Sequence, residues 1–185
     1  VVLLPRMSNF TDFNPLIVEP DVVVRYAATP SDLEGADVIV IPGSKNTIED
    51  LEYVRQSGMA ASVCRHAATG REVVGICGGY QMLGTTILDP QHVESPEASV
   101  KGLGLLPVTT TFLPVKATHQ VKGRVLESEG LLRQAGGLPF TGYEIHMGQT
   151  TIEAADAPFI IEERSRAACR DADGCVSGDG LVFGT

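Results

Sequence analysis

Short uninterrupted apolar runs mark the first half of the chain. Val22 to Ala27 and Val38 to Ile41 have strand length and no polar alternation, the pattern of strands buried on both faces of a parallel sheet. Val1 to Pro5 and Glu72 to Ile76 read as further strands, and a polar turn from Met7 to Asn14 follows the first of them. After Pro42-Gly43-Ser44-Lys45 the period changes. Asn46 or Thr47 can cap a helix, Glu49 and Asp50 suit the positive end of its dipole, and Ile48, Leu51, Val54, Met59 and Val63 supply one apolar stripe. Beyond about residue 100 the helical signal fades. Gly104 to Phe112, His119 to Leu126, Thr141 to Met147, Phe159 to Glu162 and Gly180 to Phe183 read as strands of a more antiparallel second layer or sheet extension. The pattern predicts an α/β fold in one domain spanning residues 1 to 185, with no internal repeat or linker.

Composition supports a packed domain and narrows its partners. With 185 residues, 43% hydrophobic, the chain is long enough for a well-buried core, and its mean hydropathy is +0.10. A net charge of −9 with no cluster of lysine and arginine argues against nucleic acid and for a small ligand. No apolar stretch is long enough to span a bilayer, and no signal-peptide pattern opens the sequence, so no membrane partner and a cytoplasmic location are expected. Cys64, Cys77, Cys169 and Cys175 form no C-x-x-C pair, and neither a metal site nor a disulfide framework is expected.

Chemistry concentrates at Gly75-Ile76-Cys77-Gly78-Gly79-Tyr80-Gln81-Met82-Leu83-Gly84. Gly75, Cys77 and Gly79 have the G-x-Nuc-x-G spacing of a nucleophile elbow, here with sulfur as nucleophile. A position at a helix N-terminus predicts a lowered thiol pKa. A small buried cysteine in a compact turn is the plain alternative. Gly43 and Ser44, after their own strand, can offer N–H donors to a tetrahedral oxyanion together with Gly78. Lys45 invites comparison with a phosphate loop, but G-x-x-x-x-G-K-[ST] is absent. His66, His92, His119 and His146 are the available bases. Strand alternation puts His146 on one face with Glu144, as a catalytic pair or as a polar structural feature, while Tyr80 and Gln81 are further candidates to line the site.

Four blocks in order carry a resemblance: Pro5 to Phe13, Pro42 to Thr47, Gly75 to Gly84 and Gly142-Tyr143-Glu144-Ile145-His146-Met147-Gly148. Together they resemble the glutamine amidotransferase domain of the cobyric acid synthase family, from cobalamin biosynthesis; the elbow alone is shared across class I glutaminases. The resemblance implies a flavodoxin-like, mostly parallel sheet flanked by helices and glutamine as substrate. It implies that Cys77 forms a glutamyl thioester and that the released ammonia serves an N-terminal synthetase domain of the same polypeptide. That domain uses ATP and Mg²⁺ to amidate peripheral carboxylates of adenosylcobyrinic acid a,c-diamide, so the corrinoid acceptor binds there. No Walker motif occurs here, and the chain starts and stops abruptly, which predicts a glutaminase domain truncated at both ends. The family's histidine lies in a Gly-Thr-Tyr-Leu-His-like segment, and Gly184-Thr185 matches its opening, so the base is expected beyond Thr185 and the fragment alone weak or inactive. Another corrinoid or cell-wall-precursor amidotransferase, a cysteine hydrolase of similar fold, and a noncatalytic docking module remain alternatives.

Overall fold

The computed structural model describes residues 1–126, 128–153 and 155–185. From the amino end come α1 (Asn14–Ile17), β1 (Val38–Ile41), α2 (Thr47–Gln56), α3 (Met59–Ala68), β2 (Glu72–Gly75) and α4 (Gly78–Leu83). The second half is built of strands: β3 (Thr86–Leu88), β4 (Ser99–Lys101), β5 (Val108–Val125), β6 (Pro139–Ile152), β7 (Phe159–Arg164), β8 (Ala167–Asp173), β9 (Cys175–Val176) and β10 (Val182–Gly184).

Two sheets organise these elements. The first has the order β1-β2-β10-β9, with β1, β2 and β10 mutually parallel and β9 antiparallel at the edge. The second has the order β4-β3-β5-β7-β8, with β6 also paired to β5. Only β3 and β5 are parallel within it. The α/β expectation and the antiparallel second half both hold.

The amino-terminal strands are slighter than the sequence predicts. Val1 to Pro5 and Val22 to Ala27 meet through a parallel bridge between Val2 and Ala27, outside any named strand. Val2 donates to Val40 at 2.9 Å and Leu3 to Ala27 at 2.9 Å, so both segments still extend the first sheet beyond β1. Pro5 cannot donate to a ladder and ends the pairing.

The apolar stripe from Ile48 to Val63 is buried as expected but belongs to two helices. Gly58, at φ 81°, breaks the run between them, a backbone state that glycine enters at no steric cost. Asn46 caps α2 through its side chain, accepting from Glu49 N–H at 3.0 Å. Leu51, Val54, Met59 and Val63 have no exposed surface and pack with Ile39, Ile41 and Val73 of the sheet. Each such side chain contributes about 1.5–3 kcal/mol by leaving water.

Two further expectations are refined in the second half. Gly104 to Phe112 and His119 to Leu126 fall largely on one strand, β5, whose pairing with β6 shifts register between Phe112 and Ala117. Pro114 lies in that gap, where a ladder donor is missing. The last strand, read as part of an antiparallel layer or a sheet extension, extends the first sheet beside β2, with Val182 opposite Val73 and Gly184 opposite Gly75. Its parallel partner makes it a buried core strand. The carboxyl ends of β1, β2 and β10 therefore meet at one edge, where open α/β sheets place ligands.

Candidate active site

Cys77 stands at that edge with φ 52° and ψ −109°, outside the regions that residues with a Cβ ordinarily occupy. Holding a non-glycine residue there costs on the order of 1–3 kcal/mol. The surrounding backbone enforces it. Ile76 N–H donates to Ile41 at 3.0 Å, Cys77 N–H donates to Thr185 at 2.6 Å, and Gln81 N–H donates to Cys77 at 3.1 Å. The glycines of the elbow are required by space. A Cβ on Gly79 would collide with the carbonyl of Ile41, and one on Gly75 would lie 2.7 Å from the backbone of Tyr80.

The predicted oxyanion residues converge on the thiol. A Cβ on Gly78 would lie 3.0 Å from the nitrogen of Ser44 and 3.1 Å from Thr47 Oγ1, and one on Gly43 would lie 3.7 Å from Cys77 Cβ. Among the described residues, the N–H groups of Gly43 and Ser44 have no protein acceptor. Gly78 is the first residue of α4, where a helix leaves its N–H groups unpaired. The turn that carries Gly43 and Ser44 thus packs against Gly78 and Cys77, with backbone N–H groups free of protein acceptors.

The thiol itself departs from expectation. Burial pushes the Cys77 thiol up, and the nearby Glu94 and Asp12 carboxylates add to the shift. The N–H of Gly78 and the charge of Lys116 oppose it without cancelling it. The predicted lowering by a helix N-terminus is therefore corrected: α4 has six residues, and desolvation outweighs its dipole. Sγ lies 3.4 Å from the carbonyl of Ile145, to which it donates as a thiol.

His146 follows Ile145, whose carbonyl contacts the thiol, but its ring is engaged elsewhere. Glu144 and His146 share a face of β6, as alternation predicts, while Tyr143 and Ile145 face outward. His146 Nδ1 lies 2.6 Å from the carbonyl of Gly148 and Nε2 lies 3.2 Å from Glu144 Oε1, so both ring nitrogens already face acceptors. Arg164 holds the other oxygen of Glu144 at 2.6 Å. Burial pushes Glu144 up, but Arg164 and His146 outweigh it and hold the carboxyl below its ordinary value. With Arg164 the pair forms a polar tie between β6 and β7, and the Ile145 carbonyl of the same segment contacts the thiol.

Tyr80 and Gln81, in the first turns of α4, are both buried. The Tyr80 ring packs where Gly184 leaves room for it, and burial pushes its phenol up. Gln81 accepts from Thr47 Oγ1 at 3.1 Å and leaves no room for a side chain at Gly148. His66 has little exposed surface in α3, His92 binds the carbonyl of Ser95 and His119 binds Ser165.

Several residues that hold the site were not singled out for that role. Asp50 has no exposed surface; it accepts from Ser44 Oγ at 2.6 Å and from Arg6 N–H at 3.2 Å. Burial pushes its carboxyl up, against those hydrogen bonds. In the sequence it reads only as an acidic first-turn residue. Glu94 accepts from the first two N–H groups of α2, and Asp89 fixes the turn that carries Glu94. Both come from a polar stretch with no periodicity to betray burial.

Comparison with known proteins agrees with this geometry. The model of the CobB/CobQ-like glutamine amidotransferase domain matches residues 1–185. Cobyric acid synthase of Citrobacter koseri is 50% identical over 186 residues, covering 100% of this chain and 36% of that protein. Cobyric acid synthase of Alkaliphilus metalliredigens is 48% identical over 187 residues, covering 100% and 37%. The chain thus spans little more than a third of the length of these curated relatives. Among solved structures, a crystal structure of a glutamine amidotransferase matches with TM-score 0.67 at 17% identity, covering 100% of this chain and 86% of that one. The structure of PurLQS from Thermotoga maritima matches with TM-score 0.64 at 15% identity, covering 98% and 82%. These two likenesses concern the fold. Together with the match over its full length, the relatives show that this chain belongs to the CobB/CobQ-like glutamine amidotransferase domain family.

Proposed function

We propose that this domain hydrolyses glutamine through a thioester on Cys77 and delivers ammonia for amidation of corrinoid carboxylates. The observation that carries the reading is the strained Cys77 turn facing the unpaired N–H groups of Gly43 and Ser44. Sγ attacks the side-chain amide carbon of glutamine, a C–S bond forms, and the carbonyl electrons move to oxygen. The N–H groups of Gly43, Ser44 and Gly78 bind that oxyanion. Collapse breaks the C–N bond, the leaving nitrogen takes a proton and departs as ammonia. Water then adds to the thioester, and glutamate leaves as Cys77 regains its proton.

The raised thiol needs a base to ionise it during attack. We assign that base to a histidine following Thr185. The reading is supported by the parallel pairing of β10 with β2 and the bond from Cys77 to Thr185, since a chain continuing from Thr185 starts beside Sγ. Residues 1–185 alone are then weak or inactive.

The acceptor half is read from the relatives. Matching proteins named cobyric acid synthase are almost three times the length of this domain, which supports a synthetase domain on the same polypeptide. That half uses ATP and Mg²⁺ and binds adenosylcobyrinic acid a,c-diamide; no residue of this chain is assigned to any of the three. A cytoplasmic location, with no nucleic-acid or membrane partner, belongs to the same reading. Among the described residues, no helix is long and apolar enough to cross a membrane.

One observation favours a rival, a noncatalytic docking module: burial pushes the Cys77 thiol above its ordinary value, further from the reactive thiolate. Treating the full-length protein with an electrophilic glutamine analogue, followed by peptide mass analysis, separates the two. Labelling of Cys77 alone, blocked by glutamine, is expected. No labelling, or equal labelling of Cys64, Cys169 and Cys175, would overturn the glutaminase reading.

A further inference from the structure

Asp89 is fully buried and its carboxylate bonds none of the groups assigned to the reaction. Its Oδ1 accepts from Val93 N–H at 2.7 Å, and its Oδ2 accepts from Glu94 N–H at 2.8 Å and Ser95 N–H at 2.9 Å. Burial pushes the Asp89 carboxyl up, but the three donors outweigh it and hold it below its ordinary value. Three charge-assisted bonds from consecutive residues fix a turn in one backbone conformation.

That turn presents Glu94 to α2. Glu94 Oε2 accepts from Thr47 N–H at 2.7 Å and Ile48 N–H at 3.3 Å, while the Glu94 carbonyl accepts from the Asn46 side chain at 3.3 Å. These are donors that a helix start leaves unpaired, so the carboxylate fastens the beginning of α2. The same helix start bears Thr47, bonded to Gln81, and follows Ser44, whose nitrogen packs on Gly78. A continuous set of contacts joins Asp89 to the oxyanion donors without Asp89 reaching substrate.

We propose that Asp89 is a positioning residue of the glutaminase site, acting through Glu94 to hold the N–H groups of Ser44 and Gly78 in register. The proposal rests on the glutaminase reading above. Oxyanion donors act on charge that exists only in the transition state, so their misplacement lowers kcat and leaves KM for glutamine nearly unchanged.

Asp89→Asn keeps the volume but puts a donor where an acceptor faced an N–H. In the full-length protein, D89N is expected to lower glutaminase kcat by about 10-fold, with KM within about threefold of wild type, because losing one oxyanion donor outright costs 10²–10³. Alkylation of Cys77 by a small neutral reagent, which needs no oxyanion donor, stays near the wild-type rate. Glu94→Ala lowers kcat similarly, and the D89N/E94A double variant is no slower than the slower single, because the residues act in series. Wild-type turnover is read first: its absence overturns the glutaminase reading and this one with it. With wild-type turnover present, an unchanged kcat in D89N, a rise in KM alone, or multiplicative losses in the double variant overturns only the role of Asp89. If D89N fails to fold, Glu94→Gln, which keeps an acceptor for Thr47, should retain kcat where E94A loses it. Equal activity of those two would overturn the proposal.

Discussion

The N–H of Cys77 donates to the carbonyl of Thr185 at 2.6 Å. The bond spans two parallel strands and ties the backbone of the elbow to the carboxyl end of β10. It also means that the conformation of the nucleophile depends on a strand that the local sequence around Cys77 does not mention.

Replacing Cys77 by alanine in the full-length protein should abolish glutamine hydrolysis, a loss of at least about 10³-fold, since no other group can form the thioester. The unfolding midpoint should hold or rise, because the strained backbone at φ 52° gains nothing from the thiol. Steady-state glutamate release and a thermal melt check both halves.

His146→Ala tests the partner that the structure gives a different task. Glutaminase activity of the full-length protein should stay within about threefold of wild type, the range of ordinary changes away from reacting atoms. A complete loss of turnover in a folded variant would return His146 to the catalytic unit.

The two elbow glycines should fail differently. Gly79→Ala drives a Cβ into the carbonyl of Ile41, a rigid strand end, and should destabilise the domain by about 3 kcal/mol or more. Gly78→Ala meets Ser44 nitrogen at 3.0 Å and can be absorbed by a small shift of that turn. Its expected signature is a loss of about 1 kcal/mol in urea unfolding, with kcat down by about tenfold.

Removing Asp50 should cost stability as well as activity. Asp50→Ala leaves the Arg6 N–H and the Ser44 hydroxyl without their buried acceptor, each worth about 1–3 kcal/mol when orphaned. A lowered denaturation midpoint with unchanged m-value is the expected result.

The pH dependence follows from burial of the thiol. The folded pKa of Cys77 lies above the unfolded one, near 9.0, so the unfolded chain loses its proton first as pH rises. Stability contributed by keeping the thiol protonated is intact below pH 9.0 and is lost as pH climbs through the folded value. In residues 1–185, alkylation of Cys77 should therefore be slow at neutral pH and still rising beyond pH 9.0. A reactivity plateau below neutrality would contradict this.

Legibility in the sequence tracked the range of the interactions involved. The elbow could be read because its glycines are local steric requirements set at fixed spacing. The cap at Asn46 was equally local, yet the break at Gly58 was hidden because Val54 and Met59 continue the apolar pattern across it. β8 escaped because it is exposed along most of its length, with Arg170 and Asp171 at its middle and no run of alternating apolar residues. Asp89 and Glu94 lie in a polar stretch without periodicity and were not singled out. Their burial depends on where α2 begins in space, which no periodicity records.

The placement of β10 also sets a timetable. β2 carries the nucleophile, but its neighbour on one side is a strand roughly a hundred residues later, so the elbow is braced only after nearly all of the domain has been synthesised. At about 5–20 residues per second, the thiol waits on the order of ten seconds on the ribosome before its turn can lock. The backbone geometry at Cys77 therefore cannot be complete until β10 has paired with β2.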